Sequence, residues 1–383
     1  MQLSKRVQGI AASQSLAMAA KAKQMQAEGI DVISMSLGEP DMDTPEHVRR
    51  AAQEAIDNHW SHYGPVAGTP ALRSAVAAWH KGDWKAEDVV VSVGAKMAIF
   101  NAIQAVINPG DEVIIPMPSW VSYGEMVKLA EGKVVPVLTQ YEDHYCLTPA
   151  QLRASLTPKT RMIILCSPNN PTGSVYSREE MAALVAVLRE LPDVVVLADE
   201  IYSPLVYGIK HTSFAEFMEL QDRLIIINGV SKAFAMTGYR IGWLLSKDKA
   251  LVAACTRLQG QQLTCATMVA QKAAEAALNG SQECVEQMRQ VFAGRRELIC
   301  RLAREIPGFR FEEPKGAFYL FPEVKALGGG DDVAAYLLEE AHVAAVSGSA
   351  FGCPDCIRLS YAISTDEIKE AMRRIKQALA KRS

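Results

Sequence analysis

The sequence lacks the features that would attach a protein to a membrane or to nucleic acid. It has no apolar run close to the roughly 18 residues that a membrane-spanning helix needs. No long apolar segment follows the amino-terminal stretch 1–6, so we expect no secretory signal. The net charge of −3 argues against non-specific nucleic-acid binding, which needs a clustered basic face. We therefore expect a cytoplasmic protein with neither membrane nor nucleic acid among its partners.

Cysteine and histidine are present without the spacing that disulfide frameworks or metal sites require. Eight cysteines in a chain of 383 residues do not form a disulfide framework, and six of them have apolar neighbours typical of small buried side chains. Cys353 and Cys356 form a lone CxxC; a zinc site would need a second pair, and redox chemistry a thioredoxin-like context. His59 and His62 have no carboxylate or cysteine partner at ligand spacing. We expect no metal.

The middle of the chain alternates between β-branched apolar segments and helical ones. With 49% apolar and 22% charged residues the composition is that of a globular protein, and the length predicts one large and one smaller domain. Repeated strand–helix–strand order predicts an α/β fold, with a mostly parallel sheet covered by helices. The predicted strands are Val89–Val93, Glu112–Ile115, Val134–Leu138, Met162–Leu165, Val194–Leu197, Leu224–Ile227 and Ile241–Leu245.

From about Ser281 the pattern changes. A long, charged amphipathic helix is predicted over Glu283–Arg304, and a final helix begins at Thr365. Three short apolar segments lie between them, at Phe318–Phe321, Val343–Val346 and Ile357–Ser360. This part of the chain is predicted to form a smaller α+β domain.

The most informative segment, 231–242, follows the apolar run Leu224–Ile227. Lys232 leaves solvent at this position, and desolvation disfavours its ammonium form, which makes the amine a nucleophile. Arg240 keeps its charge and offers a fork of donors suited to phosphate. One amine for an aldehyde and one fixed cation for a phosphate indicate a site for pyridoxal phosphate. The alternative is a surface lysine near a structural arginine.

Polar residues also follow two upstream strands. Asp199 ends an apolar run, at the strand end where open α/β sheets bind ligands, and can keep the pyridine nitrogen of the cofactor protonated. Tyr202 can present its hydroxyl to the ring oxygen. Asn170 lies in the rigid turn 167–173, which can aim its amide at the same oxygen. The alternative for Asp199 and Tyr202 alone is a solvated strand end.

Taken in order, these segments resemble the class I pyridoxal-phosphate aminotransferases of fold type I, in particular the bacterial aspartate aminotransferases of subgroup Ib. The motifs with the highest specificity are Ser167–Gly173, Asp199–Tyr202, Ser231–Gly242 and Arg358–Ala362. The resemblance covers essentially the whole chain, from about Leu3. It implies a large cofactor-binding domain over 45–282, a small α+β domain over 283–383, and an amino-terminal segment, 1–44, that joins the small domain.

The resemblance also implies roles for individual residues. It assigns catalysis to Lys232, Asp199 and Tyr202. It assigns the cofactor, pyridoxal 5′-phosphate, to Tyr63, Gly94, Ala95, Lys96, Trp120, Asn170, Asp199, Tyr202, Ser231, Lys232 and Arg240. It assigns the substrate to Gly38, Lys96, Trp120, Asn170 and Arg358.

Physical reasons support several of these assignments. Backbone amides at a helix start near Gly94 can bind phosphate, and Trp120 at a strand end can stack on the cofactor ring. Arg358 can hold an α-carboxylate by two parallel hydrogen bonds. The alternatives are a surface lysine at Lys96 and a core tryptophan at Trp120. Tyr63 matches a tyrosine that reaches the neighbouring subunit's cofactor phosphate, which implies a homodimer with shared active sites.

The substrate is less closely specified. Ser13 and Ser15 match the polar pair that lines the acidic-substrate pocket of the family, and Lys96 matches its distal-carboxylate lysine. Gln262 and Leu263, however, are bulkier than the serine and threonine that related aspartate enzymes carry in this loop. Aspartate or glutamate is the favoured donor, with neutral or aromatic amino acids as the alternative.

We therefore expect an aminotransferase that moves an amino group from an amino acid to a 2-oxo acid by a ping-pong mechanism, with Lys232 as general acid and base. A pyridoxal-phosphate C–S lyase on the same fold is the first alternative. A non-catalytic transcriptional regulator is the second, and the lack of an amino-terminal DNA-binding extension weighs against it.

Overall fold

A seven-stranded sheet with helices on both faces forms the larger part of the fold. The computed structural model describes residues 2–12 and 14–382. The strands are β1 (Ile33–Ser34), β2 (Val89–Val93), β3 (Glu112–Met117), β4 (Lys133–Leu138), β5 (Thr160–Cys166), β6 (Val195–Asp199), β7 (Leu224–Gly229), β8 (Ile241–Leu245), β9 (Tyr319–Leu320), β10 (Val343–Ala344), β11 (Val346–Ser347) and β12 (Ile357–Ser360). The helices are α1 (Lys5–Gln8), α2 (Gln14–Ala27), α3 (Glu46–Asp57), α4 (Pro70–Trp79), α5 (Gly94–Val106), α6 (Ser122–Leu129), α7 (Pro149–Ser155), α8 (Arg178–Leu188), α9 (Val230–Ala233), α10 (Lys249–Gln262), α11 (Met268–Asn279), α12 (Glu283–Ala303), α13 (Gly330–Glu340) and α14 (Thr365–Ala380).

The large sheet has the strand order β2-β8-β7-β6-β5-β3-β4. All neighbours pair in parallel except β8, which runs antiparallel to both β2 and β7. Its inner strands are continuous apolar runs because both faces are covered. Along β7, Leu224 and Ile226 pack under α3, α4, α7, α8 and α11, whereas Ile225 and Ile227 pack under α5, α6 and α10. The predicted helix-covered, mostly parallel α/β sheet is confirmed.

The parallel strands bring several predicted residues to one edge of this sheet. Strand β6 ends at Asp199, and β7 is followed directly by α9, which carries Lys232. Strand β2 leads directly into α5 at Gly94. Because the carboxyl ends of parallel strands meet at the same edge, these three residues converge there.

A second apolar cluster surrounds the three-stranded sheet β11-β12-β9. It draws on α12, α13 and α14, and also on Met35 from the amino-terminal segment. Ile33 in β1 lies opposite Val343 in β10, in a parallel pair, and Met35 accepts a backbone hydrogen bond of 2.8 Å from Ser360. Residues near the start of the chain therefore pack against residues near its end.

The apolar segment 343–346 forms two strands, because β10 pairs with β1 whereas β11 pairs with β12. One local expectation was wrong. Of the six cysteines expected to be buried, Cys166, Cys265 and Cys284 are partly exposed. Cys166 is accessible because it ends β5 at the ligand-binding edge.

In the described part of the chain, no helix is both long enough and apolar enough to cross a membrane.

Gly242→Ala should destabilise the fold, because a Cβ at position 242 of β8 would lie 2.2 Å from the backbone nitrogen of Ala95 at the start of α5. We expect a loss of about 1–3 kcal/mol, the usual cost of overpacking, measured as the midpoint of urea unfolding. Gly238→Ala is the matched control, since a Cβ there meets nothing within 4 Å. Equal midpoints for the two variants would contradict this packing argument.

Candidate active site

A cavity of about 360 Å³ opens at the carboxyl edge of the large sheet, beside β12. This volume is typical of small-molecule sites. Predicted residues that line it are Gly38, Ala95, Lys96, Trp120, Asn170, Asp199, Tyr202, Ser231, Lys232, Arg240 and Arg358. The structure brings together residues that are up to 320 positions apart in the chain.

Some residues singled out from the sequence do not line the cavity. Gly94 lies at the start of α5, outside the lining. Tyr63 is 88% exposed and does not line the cavity of its own chain. Ser15 lines the cavity, whereas its partner Ser13 lies outside the described residues. Gln262, at the end of α10, is exposed and does not line the cavity.

The Lys232 amine points across the cavity from the short helix α9. Its Nζ donates a hydrogen bond of 2.6 Å to the carbonyl of Gly38. Burial lowers the pKa of Lys232 to about 8; the charge of Glu39 opposes this shift, and that of Arg240 adds to it. A substantial fraction of the amine is therefore neutral, and nucleophilic, close to neutral pH.

Asp199 is buried at the end of β6. Its Oδ2 accepts a hydrogen bond of 2.6 Å from the hydroxyl of Tyr123, and its Oδ1 accepts one of 3.1 Å from the backbone of Ile201. Burial raises the pKa of Asp199 to about 6, although both hydrogen bonds favour the charged form. The carboxylate is therefore ionised at neutral pH and able to hold a protonated ring nitrogen.

The start of α5 and Arg240 form a cradle for an anion. A Cβ at Gly94 would lie 2.5 Å from Nη2 of Arg240, so the guanidinium occupies the space that a side chain at position 94 would need. Arg240 is fixed further by a hydrogen bond of 2.8 Å from Nη1 to the carbonyl of Thr237. The free amides of a helix start beside a guanidinium suit a phosphate.

Trp120 and Lys96 form another wall of the cavity. The Lys96 ammonium lies 4.7 Å from the centre of the Trp120 ring, a cation–π contact. Burial lowers the pKa of Lys96, and the charge of Arg240 lowers it further. Lys96 thus lines the cavity, although part of its side chain remains exposed to solvent.

Arg358 on β12 is buried between two aromatic rings. Its guanidinium carbon lies 4.5 Å from the ring centre of Tyr319 and 4.9 Å from that of Phe351. Nη1 donates to Oδ1 of Asn170 at 2.9 Å, and Nη2 donates to the carbonyl of Ser36 at 2.6 Å. Its buried Nε has no partner in the described part of the chain. An unpartnered buried donor is costly, and a carboxylate would satisfy it.

The cavity is rich in positive charge. Among residues 2–12 and 14–382, no carboxylate lies within 4.0 Å of a side-chain nitrogen of Lys96, Arg240 or Arg358. The carboxylate in the lining is that of Asp199. The excess of cations attracts ligands that carry more than one negative group.

Two tyrosines in the cavity wall were missed by the sequence analysis. Tyr123 lies three residues after Trp120, a spacing that places both on one face of a helical turn, so a local signal was available. Tyr319 shares a hydrogen bond of 2.8 Å with the hydroxyl of Tyr202. No local signal joins residues 117 positions apart.

The residues present fit pyridoxal phosphate. A lysine with a lowered pKa lines the cavity together with a buried carboxylate and a tryptophan ring, and the space left by Gly94 forms an anion cradle with Arg240. Together with the sheet order, this arrangement defines a pyridoxal-phosphate enzyme of fold type I.

Comparison with known proteins gives the family. Residues 30–375 match the family model "Aminotransferase class I and II", and the chain belongs to that family. The aspartate aminotransferase of Geobacillus stearothermophilus is 45% identical and covers 100% of both chains. The aspartate/prephenate aminotransferase of Nitrosomonas europaea is 42% identical over 99% of this chain and 100% of its own.

Solved structures of aminotransferases are similar to this fold. The aspartate aminotransferase of Rhizobium meliloti superposes with a TM-score of 0.96 at 39% identity, covering 100% of both chains. The aromatic aminotransferase of Pyrococcus horikoshii superposes with a TM-score of 0.89 at 36% identity, over 94% of this chain and 99% of its own. The protein is a pyridoxal-phosphate-dependent aminotransferase of this fold.

Capture of pyridoxal phosphate by the apoenzyme should accelerate as the pH rises through about 8 and then level off. The neutral amine bonds to the aldehyde, and its fraction grows above the lowered pKa of Lys232. The measurement is absorbance after mixing, followed by borohydride reduction and peptide mapping.

Glu39→Gln should shift this pH profile to lower values, because the charge of Glu39 raises the pKa of Lys232. Label on a peptide without Lys232, or a profile that is flat between pH 7 and 9, would contradict the interpretation of the site.

Proposed function

We propose that the protein transfers the amino group of a dicarboxylic amino acid, aspartate or glutamate, to a 2-oxo acid. The observation that supports this most directly is that three cations in the cavity, Lys96, Arg240 and Arg358, have no carboxylate partner among the residues that the structure describes. A cofactor phosphate and the two carboxylates of the substrate provide one anionic group for each. Relatives named aspartate aminotransferase at 42–45% identity support the same substrate class.

We propose that the phosphate binds to Arg240 and to the start of α5 at Gly94, Ala95 and Lys96, with Ser231 beside it. Trp120 then stacks on the ring, and Asp199 holds the ring nitrogen in its protonated form. When bound, pyridoxal phosphate supplies a ring that accepts electrons from the substrate Cα. Tyr123 keeps Asp199 oriented through their 2.6 Å hydrogen bond.

In this proposal Arg358 orients the substrate. Its Nη and Nε donors hold the α-carboxylate, with the backbone of Gly38 beside it, and Asn170 bridges between Arg358 and the ring oxygen. The hydroxyl of Tyr202 donates to the same ring oxygen. The Lys232 amine, released from its hydrogen bond to Gly38, would take the proton from the substrate Cα and return it to the C4′ carbon of the cofactor.

Lys96 would hold the distal carboxylate of the substrate, with Ser15 at the same end of the cavity. Its ammonium is free to turn from the Trp120 face toward a carboxylate, since no acidic residue in the described ranges holds it. A charged hydrogen bond in a desolvated site discriminates strongly between acidic and neutral substrates.

We also propose a homodimer with shared sites. Tyr63 is exposed and does not line its own cavity, and the amide of the next residue, Gly64, donates to the sulfur of Cys265. The two loops that the resemblance places near the partner's site are thus side by side.

Residues 1–44 and 283–383 would form the domain that carries Arg358 toward the large domain, 45–282, when substrate binds.

Asp199→Asn should slow Cα deprotonation by roughly 10³-fold or more, about 4 kcal/mol of barrier, because an amide cannot stabilise the protonated ring nitrogen. Stopped-flow half-reactions with aspartate measure this step. Glu200→Gln is the matched control: the neighbouring buried carboxyl accepts hydrogen bonds from Ser213 and Phe214 instead. A rate for Asp199→Asn within tenfold of wild type would mean that another group serves the nitrogen.

Lys96→Ala should lower kcat/KM for aspartate and glutamate by roughly 10- to 150-fold, the value of a charged hydrogen bond of about 1.5–3 kcal/mol. Alanine and methionine should change little, since neither has a distal carboxylate. Lys128→Ala, an exposed lysine paired with Glu125, is the control. An equal loss for acidic and neutral substrates, with weaker cofactor binding, would overturn the dicarboxylate proposal.

A further inference from the structure

The paired cysteines Cys353 and Cys356 lie in a tight loop between β11 and β12. The amide of Cys356 donates to the carbonyl of Cys353 at 3.1 Å, which closes a turn over Pro354 and Asp355. The amide of Gly348 donates to the carbonyl of Cys356 at 2.7 Å and anchors the turn from outside. The turn thus holds both cysteines at a fixed separation.

The two sulfur atoms are 3.3 Å apart, within one hydrogen bond. A disulfide needs about 2.05 Å, so the bond can form by a movement of roughly 1 Å. The anchored backbone keeps the sulfurs close without any larger rearrangement. The sequence lacks a thioredoxin-like context, but the short distance between the two sulfur atoms favours oxidation of this pair.

The two thiols differ in access. Cys353 is partly exposed, whereas Cys356 is 1% exposed behind it. The hydrogen bond between the two thiols lowers the pKa of Cys353, while burial raises the pKa of Cys255 and Cys300 elsewhere. Cys353 is therefore the thiol that meets a reagent from solvent, and Cys356 is placed to complete the reaction.

The loop is also joined to the active site. Cys356 directly precedes β12, two positions before Arg358, and Phe351 in this loop packs on the Arg358 guanidinium at 4.9 Å. The carbonyl of Phe351 accepts a 3.0 Å hydrogen bond from Ser119, next to the cavity tryptophan. The hydroxyl of Tyr145 contacts the Cys356 sulfur. A change at Cys356 therefore acts on the side of the cavity that holds Arg358.

We propose that Cys353 and Cys356 are a redox-modification site, at which a low-molecular-mass disulfide converts the dithiol to an intramolecular disulfide and weakens carboxylate binding at Arg358. The kinetic part of this inference rests on the proposed role of Arg358.

The reaction is two thiol–disulfide exchanges. The Cys353 thiolate attacks one sulfur of the reagent RS–SR; the S–S bond breaks, a Cys353–S–SR bond forms, and RS⁻ leaves. The Cys356 sulfur then gives up its proton and attacks the Cys353 sulfur, and the second RS⁻ leaves. The protein loses two protons and two electrons, and the reagent becomes two thiols. Excess thiol reverses both steps.

Closing the bond draws the Cys356 sulfur toward Cys353 and away from the hydroxyl of Tyr145. The turn that precedes Arg358 then shifts against Phe351. We expect KM for aspartate to rise roughly 2- to 12-fold, the consequence of losing about one hydrogen bond in the bound state.

The experiment treats the holoenzyme with oxidised glutathione and then with dithiothreitol. After free thiols are blocked, mass spectrometry of the peptide containing residues 353–356 should show a loss of two hydrogens that dithiothreitol restores. Cys284, partly exposed and with a pKa raised by burial, is the internal comparison and should react more slowly.

Two variants separate the steps. Cys356→Ser should accumulate glutathione on Cys353, because the second exchange is blocked, whereas Cys353→Ser should leave the buried Cys356 unmodified. Cys353→Ser should therefore keep the reduced wild-type KM under oxidised glutathione. A dithiol that stays reduced while Cys284 is modified would overturn the site, and a disulfide that leaves KM unchanged would overturn its link to Arg358.

A separate variant tests the proposed role of Arg358 independently of the cysteines. Arg358→Lys should raise KM for aspartate in the reduced enzyme. If it does not, the carboxylate role of Arg358 is wrong, and the peptide masses still decide whether the cysteines are a redox site.

Discussion

The burial of cations that have no acidic partner within residues 2–12 and 14–382 is the constraint on which the site depends. Arg358 is 3% exposed, and its polar neighbours are an amide and a carbonyl rather than a carboxylate. Lys232 likewise donates to the Gly38 carbonyl. Neutral acceptors reduce the desolvation cost of these cations but do not cancel their charge. An anionic ligand compensates the remaining positive charge. The binding free energy therefore comes partly from cations that have only neutral hydrogen-bond partners in the described part of the chain.

The carbonyls of Ser36 and Gly38 accept hydrogen bonds from Arg358 and Lys232, which requires a fixed backbone at both positions. The amino-terminal segment supplies that backbone. Strand β1 pairs with β10, and the chain then crosses the cavity at Ser36 and Gly38. Beyond them, Asp41 forms a two-pronged ion pair with Arg295 on α12, at 2.6 and 2.8 Å. The segment is thus fixed on both sides of the site. Its position explains why residues near the start of the chain line a cavity built mainly from the middle.

Much of this site could be predicted because its residues follow apolar strands. Asp199 and Lys232 stand directly after the buried runs of β6 and β7, and the parallel sheet brings such positions to one edge. The contacts of Tyr319 could not be predicted, because its partner Tyr202 lies in the turn after β6, 117 positions away, and no periodicity spans that distance. The division of 343–346 into two strands depends on pairing with β1, which is likewise non-local.

Desolvation also sets the working pH range of the site, since it acts on acid and base in opposite directions. Burial raises the pKa of Asp199 to about 6 and lowers that of Lys232 to about 8, so both values move toward neutrality. Asp199 must be charged to hold a ring nitrogen, and Lys232 must be neutral to bond an aldehyde. The hydrogen bond from Tyr123 opposes the burial of Asp199 and keeps it charged at neutral pH. A cavity that excludes enough water to lower the pKa of Lys232 therefore also needs a hydrogen-bond donor, here Tyr123, that keeps Asp199 charged.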